Sequence, residues 1–116
     1  MPTIVPLTLR QSNDETVHVT IVPDDPSESL VPITSLVFYL KDDVCTSDTA
    51  TSTLKLTSAN PAQVNITTHT ATQIVCDVYI PSSSLATPYP RVWRIDAYIG
   101  TSHRTAVYGP VALIDL

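Results

Sequence analysis

The sequence contains very little glycine. Only two glycines, Gly100 and Gly109, occur among 116 residues. The chain therefore has neither a glycine-rich phosphate-binding loop nor the G-x-S-x-G turn that exposes a nucleophilic serine in α/β-hydrolases. The ten prolines leave little room for a long helix, because proline lacks the amide that a helix interior needs. Nucleotide-binding and all-helical proteins are thus disfavoured.

Positive charge is also scarce. Six Lys and Arg residues stand against eleven Asp and Glu residues, which gives a formal net charge of −5, whereas nucleic-acid binders need a basic face. No apolar run reaches the roughly 18 residues of a membrane helix, and the N-terminal residues do not form a signal-peptide pattern. We therefore expect a protein that is made in a cytoplasm and binds neither nucleic acid nor a membrane.

Residues that ligate metals are few and scattered. Cys45 and Cys76 fit no zinc-ligand spacing, and whether they form a disulfide stays open. The segment Asp42–Asp48 contains three aspartates that offer a weak candidate Ca²⁺ site. Loop aspartates also cap turns, and that alternative stays open as well. The sequence predicts no resident metal and no cofactor.

The three histidines, His18, His69 and His103, are far apart in the sequence. None lies in a recognisable catalytic motif, and serines are too common for their presence to indicate a catalytic triad. We therefore expect no catalytic residues and a protein that is not an enzyme. A small hydrolase is kept as a minor alternative.

Alternation of apolar and polar residues with a period of two runs through most of the chain. Clear examples are Thr16–Ile21, Ile33–Lys41, Thr72–Ile80 and Arg91–Ile99. Short strands at this spacing predict one all-β domain over residues 1–116, built as an antiparallel sandwich or barrel of about seven to eight strands. Residues 1–10 are expected to form an edge strand or an arm.

Several local features follow from the same patterns. Thr53–Thr57 and Gln63–Thr67 flank a short turn, which predicts a hairpin. Gly109-Pro110 is expected to kink the chain before a separate last strand, Val111–Leu116. Trp93 and Cys76 are assigned to the core. Either end segment, Ile4–Leu9 or Val111–Leu116, is expected to be an exposed edge that can extend a neighbour's sheet.

Tyrosine and arginine are concentrated in the last third of the chain, and acidic residues in the first half. Tyr and Arg are enriched at protein–protein contacts, and charge asymmetry lets copies pack head to tail. The alternative is that these side chains simply face solvent on an outer sheet surface. The candidate interface residues are Tyr89, Arg91, Arg94, Tyr98, Arg104 and Tyr108, with Asp24, Asp25 and Glu28 on the acidic side.

The order of several segments along the chain is a further feature of the sequence. Pro32-Ile33-Thr34-Ser35-Leu36-Val37-Phe38 leads into an aromatic-bearing strand, and the segment Trp93–Asp96 is followed by Gly100 and then by Pro110. This arrangement is similar to the small immunoglobulin-like β-sandwich of tailed-phage structural proteins, especially the N-terminal domain of baseplate upper proteins. The resemblance covers nearly the whole chain.

The resemblance implies an immunoglobulin-like fold and a non-enzymatic virion protein. No long extension follows Leu116, so a capsid decoration or minor capsid protein is expected, bound to major capsid or tail proteins in many symmetric copies. A tail, baseplate or head–tail connector component is the first alternative. A free-standing cytoplasmic module that binds a ligand or a peptide is the second.

Overall fold

The structure is a computed structural model that describes residues 3–10, 14–23, 27–41, 53–82 and 92–114. The regular elements within these ranges are all β-strands, which confirms the all-β prediction. The strands are β1 (Thr3–Ile4), β2 (Leu7–Arg10), β3 (Glu15–Ile21), β4 (Ser35–Lys41), β5 (Leu54–Thr57), β6 (Val64–His69), β7 (Ile74–Ile80), β8 (Val92–Ile99) and β9 (Ser102–Ile114).

The strands of the described residues form two sheets. The larger sheet has the order β1–β9–β8–β4–β5, with β2 also paired with β9, and the smaller sheet has the order β3–β7–β6. Strands β3, β7 and β6 correspond to strands B, E and D of an immunoglobulin-like sandwich, and β9, β8, β4 and β5 correspond to G, F, C and C′. The predicted immunoglobulin-like sandwich is therefore confirmed.

The core lies between the two sheets and is built from alternate residues of their strands. Trp93 of β8 and Phe38 of β4 lie at its centre, with ring centroids 6.0 Å apart. Cys76 is completely buried, so the core positions predicted for Trp93 and Cys76 are confirmed. The other fully buried side chains include Leu36, Leu40, Val64, Ile74, Val78, Ile80 and Ile95.

The first two strands depart from a purely antiparallel arrangement. β1 and β2 both run parallel to β9, and Thr3 lies opposite Val107. Pro6, which has no amide to donate to a ladder, lies between the two strands. Residues 3–10 form an outer edge of the larger sheet, and Leu9 is only 2% exposed in the core.

The predicted hairpin between the segments around residues 54–57 and 63–67 is wrong. β5 pairs with β4 in the larger sheet, whereas β6 pairs with β7 in the smaller one. The turn between them crosses from one sheet to the other, and the Thr57 amide donates a 3.1 Å hydrogen bond to Gln63 Oε1. Alternation marks which face of a strand is buried, but it does not identify the neighbouring strand.

The predicted break at Gly109-Pro110 is also wrong. β9 continues through both residues, and Pro110 forms the last pair of β9 with β8. Beyond Pro110 the strand pairs with β2, so Val111–Ile114 is covered on that side and is not an open edge there. Gly109 is needed where the chains approach closely, because a Cβ at this position would lie 2.0 Å from the carbonyl oxygen of Val5.

Candidate functional site

Three of the predicted interface residues share the outer face of the larger sheet. Arg94 and Tyr98 lie on β8, and Tyr108 lies on β9 directly opposite Arg94. Their side chains point away from the core because they alternate with the buried residues Trp93 and Ile95 of β8. The structure therefore brings together side chains that the sequence only places in the same third of the chain.

The remaining predicted interface residues do not join this group. Arg104 lies opposite Ala97, on the other side of the sheet from Tyr98, and is exposed near the start of β9. Glu28 is exposed in the segment before β4. Tyr89, Arg91, Asp24 and Asp25 lie outside the described residues.

A buried carboxylate anchors the outer face. Asp96 is only 1% exposed, although its position on β8 predicts a solvent-facing side chain. Its Oδ1 accepts a 3.0 Å hydrogen bond from Nε of Arg94 and a 2.9 Å hydrogen bond from Oγ1 of Thr105. Arg94 also packs over the ring of Tyr39, with its guanidinium carbon 4.4 Å from the ring centroid. These contacts hold the arginine flat against the sheet.

Sequence reasoning missed Asp96, Thr105 and Tyr39 as parts of this site. The signal that could have found them is the cross-strand pairing, which places Asp96 opposite Thr105 and Arg94 opposite Tyr39. Neighbouring strands bring such side chains within about 5 Å of each other. That register is a property of the folded sheet and is absent from each strand's own pattern.

A pocket of about 520 Å³ opens on the outer face beside this carboxylate. Its lining combines apolar residues with two tyrosines and two basic residues. Ile4 and Tyr108 are 62% and 38% exposed, so large apolar surface faces solvent here. The pocket is lined by Ile4, Tyr39, Lys41, Val92, Trp93, Arg94, Thr105, Tyr108, Gly109 and Pro110.

A second aromatic contact borders the site. The rings of Tyr98 and His103 stack with centroids 5.0 Å apart, and Nε2 of His103 lies 4.0 Å from Oδ2 of Asp96. The imidazole of His103 is therefore close to both the Tyr98 ring and the Asp96 carboxylate. This stack extends the aromatic surface beyond the pocket towards the end of β8.

The other two histidines belong to different parts of the fold. Nδ1 of His18 lies 2.5 Å from Oδ1 of Asp77 on the outer face of the smaller sheet. His69 uses Nε2 to bind the carbonyl oxygen of Leu30 at 2.7 Å, which ties the segment before β4 to β6. Both histidines therefore have structural partners, and neither lies at the pocket.

No group of three metal-ligating side chains occurs among the described residues. The candidate Ca²⁺ loop Asp42–Asp48 lies outside the described residues, as does Cys45. Cys76 is a free thiol whose pKa is raised to about 11, mainly because burial disfavours the thiolate and to a smaller extent because Asp77 is negatively charged. A buried thiol with a raised pKa is a poor nucleophile.

The fold and the outer face together define an immunoglobulin-like β-sandwich with an aromatic and basic pocket on its larger sheet. Within the described part of the chain, no helix is long and apolar enough to cross a membrane. Comparisons with protein-family models and with curated protein sequences give no match to this chain.

Proposed function

We propose that the chain is a non-enzymatic structural protein of a tailed-phage virion, a capsid decoration protein that docks on the head lattice. The resemblance in sequence order supports the phage assignment, and the immunoglobulin-like sandwich is the fold that this resemblance implies. Docking uses the outer face of the larger sheet. A tail, baseplate or connector component remains the first alternative.

One observation carries the docking proposal. Arg94, Tyr98 and Tyr108 share one face with a pocket that exposes Ile4 and Tyr108 to solvent. Tyrosine and arginine dominate the energetics of many protein interfaces, because they bring large contact area and forked hydrogen bonds at low entropic cost. Arg94 is held in place by Asp96, so little side-chain freedom is lost on docking.

The test uses particles of the phage that encodes the chain. An antibody against the purified protein should label the heads of intact virions, and particles that lack the protein should regain it when it is added in solution. Tyr108→Ala should reduce this rebinding by at least about tenfold, the effect of losing an interface tyrosine. The matched control Tyr79→Ala, an exposed tyrosine on the smaller sheet, should rebind normally.

Label on tails instead of heads would support the tail or connector alternative. Virions without label, or equal rebinding by the Tyr108 and Tyr79 variants, would contradict docking through this face.

A free-standing binding module is the second candidate. The observation that favours it is the pocket volume of about 520 Å³, which falls within the range of sites for small ligands and peptide side chains. Tyr108 lines the pocket and is 38% exposed, so its ring is available for stacking with a ligand. Titrating the protein with small aromatic compounds, followed by NMR shift mapping, tests this candidate directly.

A further inference from the structure

The strands that the structure describes leave four outer sheet edges, and three of these carry features that oppose pairing with another strand. Pro6 separates β1 from β2, β5 has four residues and exposes Lys55, and the pairing of β6 is irregular between Ile66 and Thr68. Proline, lysine, short length and bulges are the usual protections of an edge strand.

The fourth edge, β3, has none of these protections. It has seven residues, contains no proline and no lysine, and pairs with β7 in regular register from Glu15 to Ile21. Among the strands that the structure describes, none pairs with its outer side. An edge of this length and regularity is a template for strand addition.

The side to which each backbone N–H and C=O group of β3 points can be worked out from the neighbouring strand, β7. The Tyr79 amide donates a 2.9 Å hydrogen bond to the Gln63 carbonyl on the side of β6. Backbone groups alternate along a strand, so the even-numbered residues of β7 point their groups towards β3. Val17 lies opposite Val78, and its N–H and C=O groups are therefore used inside the sheet.

The intervening residues of β3 point their backbone groups outward. These residues are Thr16, His18 and Thr20, and all three side chains are exposed on the outer face of the sheet. The three residues whose backbone N–H and C=O groups point outward are placed symmetrically about His18. A strand with this arrangement can form hydrogen bonds with a second, antiparallel copy of itself.

We propose that β3 is a self-association edge, at which β3 of a second copy adds antiparallel and joins the two smaller sheets into one. Thr16 lies opposite Thr20 of the second copy, and His18 lies on the two-fold axis opposite its own equivalent. Each of these pairs exchanges two backbone hydrogen bonds. Self-complementary contacts of this kind are typical of two-fold dimers.

The side chains fit the same register. Thr–Thr pairs across strands are favourable, and Val17 meets Val19 of the second copy on the core side. The only carboxylate of β3, Glu15, lies opposite Ile21 rather than opposite a like charge. Each His18 side chain already contacts Asp77 of its own copy, with Nδ1 2.5 Å from Oδ1, so both imidazoles at the axis have a polar partner. The pairing does not depend on a virion role or on the pocket of the larger sheet.

The main test places like charges across the two-fold axis. In the double variant T16K/T20K each new lysine lies opposite a lysine of the second copy, which is destabilising. The matched control T72K/T101K adds the same charge at exposed positions outside the strands. Sedimentation velocity over a range of concentrations should show a monomer–dimer equilibrium for the unmodified chain and for the control. T16K/T20K should dimerise at least about tenfold more weakly with an unchanged circular dichroism spectrum.

A crosslinking experiment tests the register. In a Cys45→Ala background, His18→Cys should form a disulfide-linked dimer on oxidation, because hydrogen-bonded antiparallel pairs have Cα atoms about 5.5 Å apart. Thr72→Cys in the same background is the control and should form no disulfide-linked dimer. An unmodified chain that is monomeric at every concentration, a T16K/T20K variant that dimerises normally, or equal crosslinking at positions 18 and 72 would overturn the proposal.

Discussion

The indole Nε1 of Trp93 donates a 2.8 Å hydrogen bond to the carbonyl oxygen of Val5, across the strand that lies between them. The intervening residue is Gly109, which lies opposite Trp93 in the ladder of β8 and β9. The amide of Val5 in turn donates a 2.8 Å hydrogen bond to the carbonyl oxygen of Tyr108. A core tryptophan therefore fastens the edge formed by residues 3–10 to the rest of the larger sheet.

Gly109→Ala should detach this edge. The new Cβ would lie 2.0 Å from the Val5 oxygen and 2.7 Å from its carbonyl carbon, and backbone atoms cannot move aside as a flexible side chain can. We expect a loss of about 2 kcal/mol in the free energy of unfolding and faster hydrogen exchange at the Val5 amide. Denaturant titration and NMR-detected exchange measure the two effects.

Gly100→Ala is the matched control for that variant. Gly100 has a φ of +61°, and no atom lies within 4 Å of the position that a Cβ would take, so only the left-handed backbone is strained. The expected cost is about 1 kcal/mol, with normal protection of the Val5 amide. Equal loss of that protection in both glycine variants would show that close approach at Gly109 does not hold the edge.

Trp93→Phe should weaken the same attachment without a steric clash. The phenyl ring keeps an aromatic contact with Phe38 but loses the hydrogen bond to Val5 and part of the buried volume. We expect a loss of about 2 kcal/mol in unfolding free energy from these two effects together. Exchange at the Val5 amide should accelerate more than exchange in β3, and equal acceleration in both places would contradict a local role.

Asp96→Ala should destabilise the protein more than Asp96→Asn. Alanine removes the acceptor of both Arg94 and Thr105, whereas asparagine keeps an oxygen at nearly the same place. We expect losses of about 2 kcal/mol and about 1 kcal/mol respectively, below the values for fully buried pairs because Arg94 is 25% exposed. Urea titration measures the difference, and equal stability of the two variants would contradict the assigned contacts.

Cys76 should make stability fall in alkaline solution. The folded-state pKa of its thiol is about 11, against 9.0 for an ordinary thiol. Between these two values the unfolded chain loses the proton while the folded chain keeps it, so the free energy of unfolding decreases as the pH rises. The slope is at most about 1.4 kcal/mol per pH unit.

The measurement for Cys76 compares the unmodified chain with Cys76→Ala from pH 9 to pH 11. The difference between their unfolding free energies cancels the contributions of other titrating groups, provided that they behave alike in both chains. It should shrink with rising pH in the expected window. A constant difference would contradict the raised pKa.

The faces of the strands could be predicted from the sequence, and their partners could not. Alternation places Trp93 and Cys76 in the core because a strand sends successive side chains to opposite sides. The same pattern does not identify which strands pair. The short turn between β5 and β6 therefore predicts a hairpin, although the two strands lie in different sheets. Sheet choice depends on contacts between distant segments.

The candidate site could be predicted only in part, for a related reason. Composition indicates that Arg94, Tyr98 and Tyr108 are interface types, and the structure places them on one face. Burial of Asp96 on that face contradicts a simple outward alternation. Arg94, two residues away on β8, and Thr105, across the ladder on β9, satisfy the carboxylate that the sheet buries. The contact with Thr105 depends on the register between β8 and β9, which the pattern of either strand alone does not contain.

The parallel pairing of β1 and β2 with β9 also has a consequence for the order of events during synthesis. Thr3 leaves the ribosome well before its partner Val107, which belongs to the last strand of the sandwich to be made. Leu9, which is buried in the finished core, pairs with Leu113 of that same late strand. Pairings between distant segments form slowly because the chain must first close a long loop. The first strands of the sandwich to be translated are thus among the last to reach their places.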